Sequence, residues 1–275
     1  GDYNYLFDPF VKLQRFADTG RSLLLVDEAH QLSGRVSQML STEIAIDNKA
    51  ALLESPSDDF SHAANEVFSV IRSLAQSAGG DGTRVIERPL QLEAAAQRLI
   101  EAVEILQLFD DLDPHSLELY FACLRWVRSL EWFEEREYQH LSIEHAQGFM
   151  IQRLCLDASA YISDVVHGHA ASIRFSGTVS PLALYQRLHG CAEDQDERAV
   201  SPFSATQSAV LVVRDIPTYF RRRSDSLLML SELVNTLVEA RPGRYLIAFS
   251  SYSYLDAFAQ RHSALGHVFR CQSRA

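Results

Sequence analysis

Two adjacent carboxylates at the end of an apolar run are the residues of this chain best suited to chemistry. Leu23-Leu24-Leu25-Val26 runs straight into Asp27-Glu28-Ala29-His30. An unbroken apolar run reads as a strand buried on both faces, the habit of a parallel sheet. Ligands of open α/β sheets sit at the carboxyl ends of such strands, where Asp27 and Glu28 emerge. Neighbouring carboxylates at that place suit nucleotide hydrolysis. One holds Mg²⁺, usually through water, and the other polarises the attacking water. A strand followed by a solvated acidic turn is the competing reading. The full string LLLVDEAH is more selective than an apolar run followed by two acids, and it reads as a Walker B element.

Two later strand-like runs also end in polar clusters. Ala171 to Phe175 leads into Ser176-Gly177-Thr178, and Tyr245 to Phe249 leads into Ser250-Ser251-Tyr252. Small and hydroxyl residues at a strand end let backbone approach a phosphate; an ordinary glycine turn is the alternative. Three such ends in a strand–helix rhythm point to a common ligand-binding edge. Ala209 to Val213 is a further apolar, β-branched run. Arg221-Arg222-Arg223 reads as a solvated cluster, with phosphate contact as the minority reading. The acidic run from Asp110 to Asp113 lacks Ca²⁺-loop spacing and reads as a solvated loop.

Positioning these ends requires helices between the strands. Phe10, Leu13 and Phe16 predict a helix running to Asp18 and closed by Gly20, with Pro9 at its start. Val36, Met39, Leu40 and Ile44 predict a helix over 31–46. From about Lys49 to Gln147 the apolar residues fall three and four apart, and three long helices are predicted. The first carries Phe60, Val67 and Ile71, with Ser55 as its cap and Pro56 at its first position. The second spans Leu92 to Phe109 and the third Ser116 to Arg136. Arg84-Val85-Ile86 is the one strand-like stretch in this block. A low-contrast strand is predicted over 149–156, and helices over 161–166, from Pro181 to Leu188, from Leu227 to Ala240 (closed by Pro242-Gly243), and from Leu255. The polar stretch Asp194-Gln195-Asp196-Glu197 suits a linker.

Composition bounds the rest. The chain has 275 residues, 47% of them hydrophobic, enough for a sizeable core. Its net charge of -11 is not that of a protein coated in base to hold nucleic acid. The charge is uneven: nine arginines against five acidic residues from Ser201 onward leave +4 there and −15 before it. A mildly basic last quarter suits a phosphate backbone, and ordinary surface variation explains it equally. The four cysteines, Cys123, Cys155, Cys191 and Cys271, have no CxxC spacing, so no zinc or iron–sulfur site is argued from them. Scattered cysteines fit a reducing compartment, and the expected location is cytoplasmic. No eighteen-residue apolar run occurs, so no membrane partner is expected. The absence of an initiator Met predicts a fragment or a processed chain.

In this order the motifs resemble the XPD/DinG-type DNA helicases of superfamily 2, the bacterial iron–sulfur members above all. The resemblance rests on Asp2-Tyr3-Asn4-Tyr5-Leu6-Phe7-Asp8-Pro9, on Leu24 to Leu32 with its DEAH, on Leu154-Cys155-Leu156-Asp157, on Phe175 to Pro181, and on Pro242 to Tyr252. It implies a P-loop NTPase (RecA-like) parallel sheet, partial here, with a helical Arch-domain insertion. Residues 1–45 would be part of the first motor domain and 46–148 the Arch-like insertion. Residues 149–193 would return to the first motor domain, and 194–275 would begin the second. The resemblance implies catalytic roles for Asp27, Glu28 and His30, with Asp27 on Mg²⁺ through water. It implies motor coupling by Ser176, Gly177 and Thr178, and DNA contact near Ser250, Ser251 and Tyr252. The activity implied is ATP-dependent 5′ to 3′ translocation on single-stranded DNA, by a monomeric motor serving DNA repair.

No G-x-x-x-x-G-K-[ST] loop occurs in the sequence. The resemblance places that loop and four iron–sulfur cysteines upstream, and an arginine finger downstream. The chain is therefore read as an internal fragment of a helicase that uses ATP, Mg²⁺ and an iron–sulfur cluster, inactive when isolated. A non-catalytic helical DNA- or protein-interaction module with a motor-like frame is the alternative.

Overall fold

The computed structural model describes residues 2–13, 22–47, 57–78, 82–145, 148–207, 209–241, 243–262 and 271. The chain forms two compact units, Gly1–Asp196 and Glu197–Ala275, divided inside the polar stretch 194–197. The first unit is mixed α/β, with one parallel and one antiparallel sheet.

The chain enters through a one-turn helix α1, Asn4–Phe7, and reaches strand β1, Leu23–Val26. A 3₁₀ turn over Ala29–Gln31 leads to helix α2, Leu32–Leu40, which buries Leu32, Val36 and Leu40. The helix predicted over 31–46 stops there. Strand β2, Thr42–Asp47, takes over because Thr42-Glu43-Ile44-Ala45-Ile46 alternates buried and exposed residues with period two. The helix predicted over Phe10–Asp18 is a turn as far as Val11 and irregular through Leu13; Phe16, Asp18 and Gly20 lie outside the described residues.

Helix α3, Asp58–Ala78, strand β3, Thr83–Ile86, helix α4, Leu90–Ile105, and helix α5, Pro114–Arg128, follow. Ser57 Oγ accepts the Phe60 N–H at 3.1 Å and so caps α3, while the predicted cap Ser55 and Pro56 fall outside the described residues. Asp113, expected in a solvated loop, caps α5 by accepting the His115 N–H at 2.9 Å, with Pro114 at the first helical position. The third helix was predicted to reach Arg136. It ends at Arg128, and strand β4, Tyr138–His145, pairs with β3 on one side and with strand β5, Gly148–Cys155, on the other. The block over 49–147 is thus not purely helical. Its central strand needs β5, whose Ile151 shares a core with Phe60, Val67, Leu92, Leu99, Cys123 and Trp126.

The order β2-β5-β4-β3 makes a four-stranded antiparallel sheet, and β2 pairs with β5 from Thr42↔Arg153 to Asp47↔Gly148. Helix α6, Ser159–His167, strand β6, Ala171–Arg174, and helix α7, Leu182–Leu188, complete the unit. A second core joins Phe7, Val26, Leu32, Val36, Cys155, Ile162, Val166 and Cys191 around the first strand.

The second unit holds helices α8, Arg223–Ala240, and α9, Tyr252–His262. The strands predicted over 209–213 and 245–249 are irregular, and Leu246 is 98% exposed. A strand is held by its ladder, and among the described residues none lies alongside them. Pro242, the predicted stop of α8, lies outside the described residues. Among the described residues no helix is long and apolar enough to cross a membrane.

Among the described residues, one charged side chain lies fully inside the first unit. Arg153 of β5 donates from Nε to His140 Nε2 at 3.2 Å and from Nη1 to the Trp126 carbonyl at 2.9 Å and to Ser129 Oγ. Its Nη2 meets Glu93 Oε1 at 2.5 Å, and the guanidinium stacks 4.4 Å from the Trp126 ring. Glu93 also takes a two-pronged contact from the more exposed Arg88, at 3.0 and 2.9 Å. The cluster ties α4 and α5 to the sheet. Burying a charge is tolerable only when it is paired, and removing the partner strands it. Glu93→Gln is expected to cost about 3–5 kcal/mol in urea unfolding, and Arg88→Ala about 1 kcal/mol or less. Equal costs would refute this division of roles.

The same burial, aided by Arg153, pushes the His140 imidazole down to about 4. His189 is likewise pushed down to about 4 by burial, aided by Arg174. An unfolded histidine titrates near 6.5, so between these values the unfolded chain binds the extra protons. Stability is therefore expected to fall as pH drops from about 6.5 to about 4, by up to roughly 3 kcal/mol for each fully expressed shift. His140→Gln keeps an acceptor for Arg153 and should remove the His140 share of that fall. Urea titrations across this pH range check it, and a variant slope equal to the parent's would contradict it.

Candidate functional site: the carboxylate turn and its hydroxyl partner

Strand β1 pairs in parallel with β6, Leu23↔Ala171 through Val26↔Arg174. The ladder runs on past the strand ends. Phe175 donates its N–H to the Val26 carbonyl at 2.9 Å, and Ala29 donates to the Phe175 carbonyl at 3.1 Å. Asp27-Glu28 and Ser176-Gly177-Thr178 consequently leave the sheet side by side, although about 150 residues separate them in sequence.

Ser176 is the meeting point. Its Oγ lies 3.2 Å from Glu28 Oε2, 2.9 Å from His30 Nδ1 and 3.2 Å from Thr178 Oγ1, and it accepts the Thr178 N–H at 3.3 Å. His30 Nδ1 is also 3.2 Å from Glu28 Oε2. An ionised carboxylate only accepts, so Ser176 gives its one proton to Glu28 and the His30 Nδ1 carries its own.

Glu28 stands in the left-handed region, φ 50° and ψ 41°, an uncommon conformation for a residue with a Cβ. Two contacts hold it there. Asp27 Oδ1 accepts the Glu28 N–H at 2.7 Å. The Tyr3 hydroxyl donates to the Asp27 carbonyl and lies 3.1 Å from the Glu28 carbonyl. Burial raises the Tyr3 phenol above its ordinary value, Arg35 opposing and Asp27 and Glu28 adding to it, so the hydroxyl keeps its proton. The Arg35 guanidinium lies 5.2 Å from the Tyr3 ring centre and 3.8 Å from Asp2. A cleft of about 690 Å³ lies against β1, lined among others by Tyr3, Leu23, Leu25, Asp27, Glu28 and Arg35. Sequence reasoning used Tyr3 only as part of a recognisable segment; its support of the carboxylate turn had no signal in spacing.

The remaining predicted residues fall as follows. Gly177 is exposed, and a Cβ there would meet nothing within 4 Å, so the chain's own packing does not demand a glycine. Ser250, Ser251 and Tyr252 lie in the second unit. Ser251 Oγ accepts the Tyr254 N–H at 3.3 Å, capping α9, and accepts from Arg223 Nη1 at 3.3 Å. Tyr252 is exposed at the first turn of α9.

Asp27 and Glu28 are exposed oxygen donors at a strand end, a donor set that fits a hydrated Mg²⁺. The cysteines do not fit an iron–sulfur cluster. Cys123 lies in one core, Cys155 and Cys191 in the other, and Cys271 is exposed. The chain matches no protein-family model and no curated protein.

Tyr3→Phe removes one hydroxyl and little else. It is expected to lower stability by about 1 kcal/mol in urea unfolding, with no change in helix content by circular dichroism. No measurable loss would show that the turn holds itself.

Proposed function

We propose that this chain is the middle of an XPD/DinG-type DNA helicase, with a RecA-like motor frame and a helical Arch-like insertion, coupling ATP hydrolysis to 5′ to 3′ movement on single-stranded DNA. One observation carries this reading: Ser176 of the SGT segment bridges Glu28 and His30 of the DEAH segment, at 3.2 and 2.9 Å. A solvated acidic turn has no need for that bridge. A motor needs one, because hydrolysis at one strand end has to be felt by a neighbouring segment.

The residues divide the work. Asp27 would hold Mg²⁺ through water, and bound Mg²⁺ would neutralise charge on the phosphates. Glu28, held upright by its left-handed backbone, would orient the attacking water and accept its proton. His30 and Ser176 would report the state of Glu28 to Thr178 and the segment that follows. The exposed hydroxyls at 250–252 would lie near the DNA backbone in the second motor domain. The sequence has no G-x-x-x-x-G-K-[ST] loop, so the 275-residue chain alone is expected to hydrolyse no ATP.

The test is Glu28→Gln in the whole helicase that this reading implies. Hydrolysis is expected to fall at least about 100-fold, with nucleotide binding retained. Ser176→Ala is expected to keep more hydrolysis than Glu28→Gln and to lose strand separation disproportionately. Unchanged turnover in Glu28→Gln would sink the proposal and favour the non-catalytic interaction module.

A further inference from the structure

A second group of metal-ligand side chains lies away from the carboxylate turn, where α6, β6 and the loop after α7 converge. His167, Cys191 and Asp194 bring one ligand atom each within 4.8 Å of the others, the one such His/Cys/acid group among the described residues. Cys191 is buried, Asp194 half-buried and His167 exposed, so the group opens to solvent on the histidine side.

Three features arrange it. His167 Nδ1 bonds to the Ser163 carbonyl at 2.9 Å, one turn back on α6. That bond places the ring proton on Nδ1 and leaves the Nε2 lone pair facing Asp194 Oδ1, 3.9 Å away. The Asp194 carboxylate is shared: Arg174 takes Oδ2, the Cys191 side chain also bonds the carboxylate, and Oδ1 faces His167. Gly190 brings the loop in. Its φ is +64°, and a Cβ there would stand 2.3 Å from the Ser159 carbonyl oxygen, so only glycine lets Cys191 and Asp194 approach α6 this closely. His167 also sits in the last turn of α6, where the helix end favours a cation.

We propose that His167, Cys191 and Asp194 form a three-ligand site for Zn²⁺ with one position open to water. One imidazole, one thiolate and one carboxylate are a borderline-soft set that suits zinc over Mg²⁺ or Ca²⁺. Tetrahedral zinc needs ligand atoms roughly 3.4 Å apart. The 3.9 Å pair is near that already, and the exposed His167 ring can rotate to close the rest. Binding displaces the Cys191 thiol proton, now directed at the His189 carbonyl at 3.0 Å, to solvent. The two anionic ligands then balance the dication, and Arg174 remains as the hydrogen-bond partner of the ligating carboxylate. The site would clamp the end of α6 to the loop after α7, beside the strand that delivers Ser176. It stands independently of the helicase reading.

The experiment uses Co²⁺ as the probe on the 275-residue chain. One Co²⁺ per chain is expected, with cobalt–thiolate charge-transfer absorption and tetrahedral d–d bands, displaced by Zn²⁺. Cys191→Ser should abolish the charge-transfer absorption. His167→Gln, at an exposed position that spares the fold, should weaken binding at least about tenfold. Cys271→Ser, which removes the exposed thiol, should change nothing. Circular dichroism checks the fold of each variant. The proposal is overturned if the parent chain binds no stoichiometric Co²⁺, or if both the affinity and the thiolate absorption survive His167→Gln and Cys191→Ser.

Discussion

The pairing of β1 with β6 is the constraint on which the rest of the first unit depends. A parallel ladder cannot be closed by a tight turn; it needs a crossover, and here the crossover contains most of the unit. Everything between Val26 and Ala171 has to leave the edge of β1, build its own core, and return in register. The register fixes the chemistry. With Val26 opposite Arg174, the next residues out of each strand are Asp27 and Phe175, and the Ala29 N–H reaches the Phe175 carbonyl. A slip of one residue would turn Glu28 and Ser176 to different sides of the strand ends, because side chains alternate along a strand.

The excursion is closed by a second, antiparallel pairing. β2 leaves and β5 returns along the same ladder, so residues 47 and 148 stand opposite each other and the hundred residues between them hang from that neck. Apolar packing alone would leave the orientation of three helices on a small sheet loosely specified. Arg153 narrows the choice. Its guanidinium has one arrangement that satisfies His140, Trp126, Ser129 and Glu93 together, and those partners come from β4, α5, the turn after it and α4. Ser41 adds a smaller fastening at the neck, donating to the Ser37 carbonyl and accepting the Cys155 N–H at 2.9 Å. Polar groups buried at the junction of four elements give the insertion one seat, at the cost of desolvating a charge.

What the sequence disclosed follows from range. The helices over residues 58–128 were legible because Phe60, Val67 and Ile71, like Leu92, Leu99 and Val103, repeat at helical spacing, and the core uses those residues. The strands before Asp27 and before Ser176 were legible, but the burial of the first on both faces was not: Leu23 and Leu25 are 73% and 66% exposed, since among the described residues β1 has β6 as its one partner. β2 was misread because Val36, Leu40 and Ile44 continue a helical stripe across a boundary that only the alternation of residues 42–46 marks. β4 was missed because a central strand is defined by both its neighbours: β5 follows two residues later, but β3 lies more than fifty residues upstream. The runs over 209–213 and 245–249 failed in the opposite direction: β-branched composition states a preference, and a ladder partner decides the outcome. Of the site, the DEAH and SGT strings were visible; Tyr3 beneath the turn and the gathering of His167, Cys191 and Asp194 were not, since each depends on close approach between elements distant in sequence.

Glu28 shows how the site and the fold oppose each other. A left-handed glutamate costs of order 1 kcal/mol or more, and an asparagine or glycine would sit there at less expense. A turn whose only duty was to connect β1 to α2 would be free to take either. The chain keeps a carboxylate in that conformation, and holds it from below through Tyr3, from the side through Asp27 Oδ1, and at its tip through Ser176 and His30. Three of those four supports come from segments outside the turn itself or from beyond its first two residues. The strain is therefore sustained by the surrounding structure, and its effect is to project Glu28 from the strand end into the reach of Ser176. Placement of that one carboxylate, and not ease of the backbone, is what the arrangement of β1, β6 and the N-terminal turn accomplishes.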